Sequence, residues 1–286
     1  MARRSDSGAN GLLVVDKPAG CTSHDIVDQV RRKLGTRKVG HAGTLDPDAT
    51  GVLLLGVGKG TKLLQFLTGT EKQYQGRVVF GTTTDSLDST GTTTGTFEMI
   101  LTPAEVVSAA QQFVGDIKQI PPMVSAIKID GRRLHELARE GTEVDRPARD
   151  VTVHELRVEP TEDPLEYELF VRCSAGTYIR SLAADLGTAL GGGAHLHGLR
   201  RTAVGRFTEA DAAPVEDAEL QPLEQMLAHL PSMAVDDEIA QKVRNGRSLG
   251  SSTGSGRLVV QGPGGELLAV YESRDGEFRP VKVLVG

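Results

Sequence analysis

The apolar run VLLLGVG, residues 52–58, places the strongest constraint on how this chain folds. It is too short for a typical helix and has no polar face, so it is predicted to be a buried strand. A second apolar run, LLVV at residues 12–15, stops at an Asp-Lys-Pro sequence and indicates another strand. The chain is therefore predicted to be built around a sheet rather than from helices alone.

Helices are predicted at irregular intervals along the chain. Residues 26–34 carry apolar side chains at helical spacing, with Ser23 predicted as the N-cap and Gly35 as the stop. The other predicted elements are a helix near 62–67, a helix from Thr102 to about Phe113 that opens with a capping box, a helix near 178–190, strands near 72–80, 125–129, 150–158, 166–173 and 195–207, and a Gly/Thr/Ser-rich loop at 81–95. Strands outnumber helices without alternating regularly, which predicts an α+β fold.

The chain is predicted to contain two structured units. Residues 1–10 are expected to be a disordered tail without a signal-peptide core, and residues 11–234 form the main domain. Within it, the acidic segment 207–238 is expected to form one or two helices. Residues 235–286 change to a glycine-rich composition with short strands, which predicts a small separate β domain.

The charge distribution is uneven. The formal net charge is −6, yet residues 207–238 contain nine acidic residues and no Lys or Arg. The remaining residues carry 32 basic against 29 acidic side chains, and residues 31–41 hold five Lys or Arg and no acid. This stretch is either a stripe that binds a polyanion or a solvated helix end, and charge alone leaves both readings open.

The composition also indicates the cellular compartment in which the protein is expected. The chain has two cysteines, too few for a disulfide framework, and no run near the roughly 18 apolar residues that span a bilayer. These features predict a protein of a reducing cytoplasm with no membrane partner.

The segment GHAGTLDPDATG, residues 40–51, combines turn-forming residues with two carboxylates. A calcium loop is excluded because Val57 occupies the position that requires a bidentate Glu, and the same valine stands where a P-loop needs lysine. His195 and His197 lack a third metal ligand nearby, and the chain has no G-x-S-x-G elbow. Two interpretations remain: a surface Asx-turn, or a loop in which Asp46 performs chemistry, with Arg180 as a partner brought near by folding.

Several segments together resemble the TruB-type pseudouridine synthases, which isomerise uridine 55 in the TΨC arm of tRNA. GHAGTLDPDATG resembles the family's catalytic G-x-L-D-P loop, and GLLVVDKPAGCTSHD resembles its N-terminal motif. EKQYQG is similar to the tyrosine strand, CSAGTYIRSLAADLG to the arginine helix, and HLHGLRR to the later leucine motif. The resemblance covers residues 11–207, and it includes an RNA-gripping insertion at 121–150. Residues 235–286 resemble a short PUA domain, an RNA-binding module.

The resemblance implies the fold, the chemistry and the site. It implies a pseudouridine synthase fold with a mixed, mainly antiparallel central sheet flanked by helices. Asp46 is the implied nucleophile, Arg180 its counter-charge and Tyr74 the residue that stacks on the flipped base. Further residues are implied to bind or support the substrate: His41, Tyr178, Leu199 and Lys17. No cofactor or metal is implied, because isomerisation conserves atoms and electrons.

The resemblance also implies the partners. The expected partner is the TΨC arm of tRNA, without a guide RNA, and the expected oligomeric state is a monomer. A non-catalytic protein that folds tRNA through the same pocket is the alternative function.

Overall fold

The computed structural model of the protein describes residues 8–125, 128–129, 132–134, 140, 144–250 and 255–284. Most of the expected tail, residues 1–7, lies outside this range. So does most of the basic helix expected at 132–140, and the strand expected at 125–129 is described only in part. The RNA-gripping insertion predicted at 121–150 is thus known only at its ends and at a short hairpin of β8 (Lys128–Ile129) and β9 (Arg132–Arg133).

A mixed nine-stranded sheet forms the centre of the molecule. Its main path runs β1-β3-β12-β4-β11-β10-β7, with β2 added on β3 and β13 on β12. The strands are β1 (Gly11–Lys17), β2 (Val39–Ala42), β3 (Thr50–Val57), β4 (Lys72–Phe80), β7 (Gly115–Gln119), β10 (Arg149–Pro160), β11 (Glu166–Cys173), β12 (Ala194–Val204) and β13 (Phe207–Thr208). Every pairing is antiparallel except that of β3 with β12. The predicted mixed, mainly antiparallel sheet is confirmed.

In the part of the chain that the structure describes, three helices cover this sheet: α1 (Ser23–Leu34), α2 (Pro103–Gln111) and α3 (Ile179–Ala189). Thr102 and Glu105 form the expected capping box of α2, and Gly35 ends α1 in the left-handed conformation. The prediction that Ser23 caps α1 is wrong, because Thr22 is the N-cap and forms a capping box with Asp25. The helix expected at 62–67 consists of two 3₁₀ turns, Gly58–Lys62 and Leu64–Phe66.

Two other expectations differ from the structure. Residues 81–95 are not a plain loop, since β5 (Thr82–Thr84) pairs with β6 (Thr93–Thr96), and threonine is β-branched and favours strands. The acidic segment forms no α-helix before residue 237, and its helical turns up to that point are the 3₁₀ turns Glu209–Asp211 and Leu223–Leu227. Prolines at 214, 222 and 231 interrupt any helical ladder there.

The acidic segment instead protects an edge of the main sheet. Leu12 and Gln221 exchange two backbone hydrogen bonds of 2.9 and 2.8 Å. The backbone of Ala213 bonds Val14 and Asp16 at 3.2 and 2.9 Å. The outer backbone groups of β1 are therefore paired, which prevents edge-to-edge association there.

A second sheet of four strands forms the C-terminal unit. Its order is β14 (Ser232–Ala234), β15 (Arg257–Gln261), β16 (Leu267–Arg274) and β17 (Glu277–Val283), with α4 (Asp237–Arg244) packed on it. The sheet begins at Ser232 rather than at residue 235, because β14 pairs in parallel with β15. In the described ranges, no helix is long and apolar enough to cross a membrane.

Candidate active site

The Asp46 loop joins two antiparallel neighbours, β2 and β3, at one end of the sheet. Gly43 has φ +89°, a left-handed conformation that a residue without Cβ adopts at no steric cost. The amide of Ala49 donates to the carbonyl of Asp46 at 3.1 Å, which closes a β-turn around Pro47. The turn leaves the Asp46 side chain facing a recess in the surface of the protein.

Two buried side chains hold this loop from behind. Lys17 is fully buried, and its Nζ donates to the carbonyls of Pro18, Pro47 and Ala49 at 2.9, 2.8 and 2.7 Å. Ser23 Oγ accepts from the amide of Leu45 at 2.9 Å and donates to its carbonyl at 3.2 Å. The ammonium group of Lys17 has three donors and uses all of them on backbone, so it fixes the loop rather than facing the recess.

Asp46 forms a two-point ion pair with Arg180, which lies in the first turn of α3. Arg180 Nε lies 3.0 Å from Asp46 Oδ2, and Arg180 Nη2 donates to Asp46 Oδ1 at 3.1 Å. The Arg180 side chain is 4% exposed and that of Asp46 is 41% exposed. The acid therefore faces the recess while its partner is part of the interior.

Two further donors of Arg180 are also fixed. Nη1 donates to the carbonyl of Ser86 at 2.8 Å, and Nη2 donates to that of Val124 at 2.8 Å. A second carboxylate, Asp88, lies 3.6 Å from Nε. A guanidinium held by this many partners has one orientation, which in turn orients the Asp46 carboxylate.

Burial raises the pKa of Asp46 above its usual value of 3.8, because the walls of the recess limit hydration of the carboxylate. The Arg180 guanidinium opposes this shift, and the negative charge of Asp88 adds to it. The sequence predicted that an arginine would keep the acid ionised. Arg180 does act in that direction, but burial has the larger effect on the pKa.

Two cavities meet at the Asp46–Arg180 pair. The first has a volume of about 270 Å³ and the second about 400 Å³, and both are lined by Asp46, Arg180 and Leu199. Tyr74, Tyr178, Lys72 and Arg201 line the first cavity. Asp88, Leu196 and His197 line the second. A space of this size next to an oriented carboxylate accommodates a nucleobase.

Folding brings five of the seven predicted residues to these cavities: Asp46, Arg180, Tyr74, Tyr178 and Leu199. Lys17 lies behind the loop. His41 lies on β2 beside the loop and is half-buried, but it lines neither cavity. Burial and the nearby Arg201 lower the pKa of His41, which favours the neutral imidazole.

The two tyrosines are held differently. Tyr74, on β4, is 8% exposed, and burial raises the pKa of its hydroxyl while the adjacent Arg201 lowers it. Tyr178 precedes α3, and its backbone is held by the Gln119 side chain through hydrogen bonds of 2.9 and 3.1 Å. Burial raises the pKa of the Tyr178 hydroxyl, and a hydrogen bond with Ser125 opposes that shift.

Sequence reasoning missed Lys72, Arg201 and Asp88. Lys72 and Arg201 lie inside the quoted segments EKQYQG and HLHGLRR, two residues before Tyr74 and two after Leu199, so alternation along a strand was the available signal. Asp88 lies in the segment interpreted as a loop. No local pattern distinguishes it from the neighbouring Asp85.

Comparison with known proteins identifies the class to which this fold and site belong. Residues 31–179 match the TruB family pseudouridylate synthase N-terminal domain, and residues 180–230 match the tRNA pseudouridylate synthase B C-terminal domain. The chain therefore belongs to the TruB family of pseudouridylate synthases, and it is an isomerase.

Curated relatives match over nearly the full chain. "tRNA pseudouridine synthase B" of Thermobifida fusca is 43% identical, covering 97% of this chain and 99% of the relative. The protein of the same name from Geobacillus thermodenitrificans is 40% identical, covering 96% and 99%. Among solved structures, a chain of a Cbf5–Nop10–Gar1 complex aligns with a TM-score of 0.75 and 26% identity, covering 96% of this chain and 85% of that one. The pseudouridine synthase fold is thereby confirmed.

Proposed function

We propose that this protein converts uridine 55 in the TΨC arm of tRNA to pseudouridine, with Asp46 as the nucleophile. The observation that carries the proposal is the two-point pair between Asp46 and the buried Arg180, placed where two cavities meet. The names of the curated relatives support tRNA as the substrate. The motif resemblance supports position 55.

The reaction begins when a carboxylate oxygen of Asp46 attacks either C1′ of the ribose or C6 of the uracil. The N1–C1′ bond breaks, the base rotates, C5 bonds to C1′, and the bond between Asp46 and the substrate breaks to restore the carboxylate. The C5 proton is then lost and N1 gains a proton, so atoms and electrons balance without a redox cofactor. Arg180 orients the carboxylate and favours its ionised form in the presence of polyanionic RNA.

The target uridine must leave the RNA stack to reach Asp46, because the acid lies in a recess. Extrusion costs a few kcal/mol, and stacking on an aromatic ring returns about 1–3 kcal/mol per base. Tyr74 provides that ring in the wall of the first cavity, and Leu199 packs on the base beside it. Tyr178 lines the same cavity and takes part in proton transfer at C5.

The RNA backbone is bound outside the recess. The basic runs 31–38 and 132–139, together with Arg206 of the run 200–206, provide phosphate contacts, whereas Arg201 of that run lies in the cavity wall; His41 lies on the RNA-facing side of the loop. The insertion at 121–150 grips the arm, and the C-terminal sheet contributes a PUA-like RNA surface. The protein acts as a monomer and without a guide RNA.

The test uses the purified chain and unmodified tRNA transcript with tritium at C5 of uridine. Wild-type protein is expected to release tritium and to form pseudouridine at position 55 alone. Asp46→Asn keeps the shape of the side chain, so it is expected to bind tRNA with unchanged affinity and release no tritium. Wild-type protein that binds and refolds tRNA but releases no tritium would instead support the non-catalytic tRNA-folding function.

A further inference from the structure

Two buried cations, Lys72 and Arg201, lie close together in the wall of the first cavity. Lys72 is 6% exposed and Arg201 is fully buried. A Cβ placed on Gly43 would lie 3.5 Å from both Arg201 Nη1 and Lys72 Cε, so the two side chains border the same glycine. Within the described ranges, no carboxylate oxygen lies within 4.0 Å of either cation.

A buried cation is unfavourable unless it has a counter-charge or uses its donors in hydrogen bonds, and Lys17 and Arg180 meet one of these conditions. Lys17 uses three donors on three carbonyls, and Arg180 pairs with Asp46. Lys72 donates only to the carbonyls of Thr68 and Thr70, at 3.1 and 2.8 Å. Its third N–H has no acceptor in the described part of the chain, which leaves one donor for a group in the cavity.

Arg201 is held rigidly beside Lys72. Its Nε donates to the carbonyl of Val52 at 2.8 Å and its Nη2 to that of Gly43 at 3.2 Å. It also lies against the Tyr74 hydroxyl and lowers the pKa of that group by its charge. The positive charge is therefore located at the deep end of the cavity, beside the ring proposed to stack on the base.

The reaction itself generates an anion in this cavity. When the N1–C1′ bond breaks, its electron pair stays on the uracil and is shared among N1, O2 and O4. If Asp46 adds to C6 first, the C5=C6 electron pair moves toward C5 and O4. Both routes place negative charge on the same ring, whereas the phosphates remain outside with the RNA backbone.

We propose that Lys72, supported by Arg201, stabilises the negative charge that develops on the uracil. Lys72 touches the base directly and is a catalytic residue, whereas Arg201 positions the Tyr74 hydroxyl and adds its charge from behind. The charge leaves the uracil once the electron pair has formed the C5–C1′ bond and the Asp46 carboxylate has been released, and loss of the C5 proton balances the proton gained at N1. The assignment rests on the proposed function, but it holds for either carbon that Asp46 attacks.

The protonation of Lys72 gives this assignment a pH signature. Burial and the charge of Arg201 lower the pKa of Lys72 to about 8. The other titratable or charged groups nearby are Cys173, with a pKa of about 11, and His41 beside Arg201. The cavity wall itself also carries Tyr74, Tyr178, Asp46 and Arg180. Lys72 is charged below its pKa, so its contribution is present at neutral pH and is lost as the pH rises through about 8.

The experiment compares Lys72→Met, which removes the charge at similar length, with Lys72→Arg, which keeps it. Single-turnover formation of pseudouridine in tRNA transcript is measured with enzyme in excess, and tRNA affinity is measured separately as a function of salt. Lys72→Met is expected to lose about 10²-fold in rate at saturation, the usual effect of removing one transition-state donor. Its tRNA affinity and salt dependence are expected to match wild type.

The pH profile is the second measurement. At subsaturating concentrations the rate depends on the ionisation of groups in the free enzyme. Under these conditions the wild-type rate is expected to fall about tenfold per pH unit above pH 8. Lys72→Arg is expected to shift this fall in rate to higher pH, because arginine stays charged. Comparison of wild type with Lys72→Arg tests the assignment even if Lys72→Met does not fold, because both proteins carry a cation at this position.

Several results would overturn the assignment. Lys72→Met with a normal saturated rate, weaker binding and a salt slope reduced by about 1 would identify a phosphate contact instead. A wild-type rate that stays flat to about pH 9.5 would show that the charge of Lys72 is not used. Wild-type protein that forms no pseudouridine would overturn the proposed function and this assignment together. Active wild type with unaffected Lys72 variants would overturn this assignment alone.

Discussion

At the scale of single residues, the site is defined by how each buried charge is satisfied. Arg180 distributes its donors between the Asp46 carboxylate and the carbonyls of Ser86 and Val124. Lys17 is bonded only to backbone carbonyls. The roles of these two cations therefore differ: Arg180 orients a reactive group, whereas Lys17 orients the loop that carries it.

A prediction at this scale concerns Tyr74. Tyr74→Ala is expected to lose much more activity than Tyr74→Phe, because the alanine variant lacks the ring that stacks on the base, an effect of about 1–3 kcal/mol. Tyr74→Phe loses only the hydroxyl beside Arg201. Single-turnover rates on tRNA transcript measure the difference, and thermal unfolding of both variants controls for loss of core packing.

Equal losses in the two variants would contradict the stacking role. They would show that the hydroxyl group, rather than the ring, is the part of Tyr74 that the reaction uses.

At the scale of elements, the site depends on one parallel contact between β3 and β12. This contact brings the segment that contains Leu199 and Arg201 beside the Asp46 loop. Gly51 makes the approach possible, since a Cβ there would lie 2.2 Å from the carbonyl oxygen of Arg201. Its φ of +101° is also unfavourable for any residue with a side chain.

Gly51→Ala is therefore expected to destabilise the protein by more than about 3 kcal/mol, the range of severe single substitutions. The matched control is Gly246→Ala, with φ +67° and no atom within 4 Å of the added Cβ, which is expected to cost about 1–2 kcal/mol. Chemical denaturation of both variants measures the difference. A similar loss of unfolding free energy in the two variants would mean that β3 and β12 can move apart at Gly51 without loss of stability.

At the scale of the whole molecule, the C-terminal sheet shares a core with the main domain. Val259, Leu267, Val270 and Leu284 pack in one cluster with apolar residues of the main domain. These main-domain residues include Leu12, Val14, Phe66, Val204, Phe207 and Met226. The small unit therefore packs on the large one through a shared apolar cluster.

Removal of the chain after Pro231 is expected to destabilise the main domain. Each large apolar side chain left exposed costs about 1.5–3 kcal/mol, so the unfolding midpoint is expected to fall by roughly 10 °C or more. The full chain is expected to unfold in a single calorimetric transition. Two separate transitions, or an unchanged midpoint after truncation, would show that the units fold independently.

Local pattern was sufficient for most of the elements. Apolar runs located β1 and β3, and the capping box located α2, because burial and capping act within a few residues. Local pattern gave the wrong prediction for the acidic segment, whose composition favours a helix. Its prolines interrupt a helix, and its backbone pairs with the exposed edge of β1 instead. Local pattern also predicted Ser23 as the N-cap of α1, whereas its side chain forms hydrogen bonds with the backbone of Leu45, 22 residues later.

The sequence by itself determined that Asp46 lies in a turn before a buried strand, since proline and glycine fix local dihedral angles. Only the tertiary structure decided which charges surround it. Arg180 lies 134 positions away in the chain, and Arg201 reaches the site through a contact between distant strands. Electrostatic effects depend on distance in space and on burial, and neither quantity can be read from spacing along the chain.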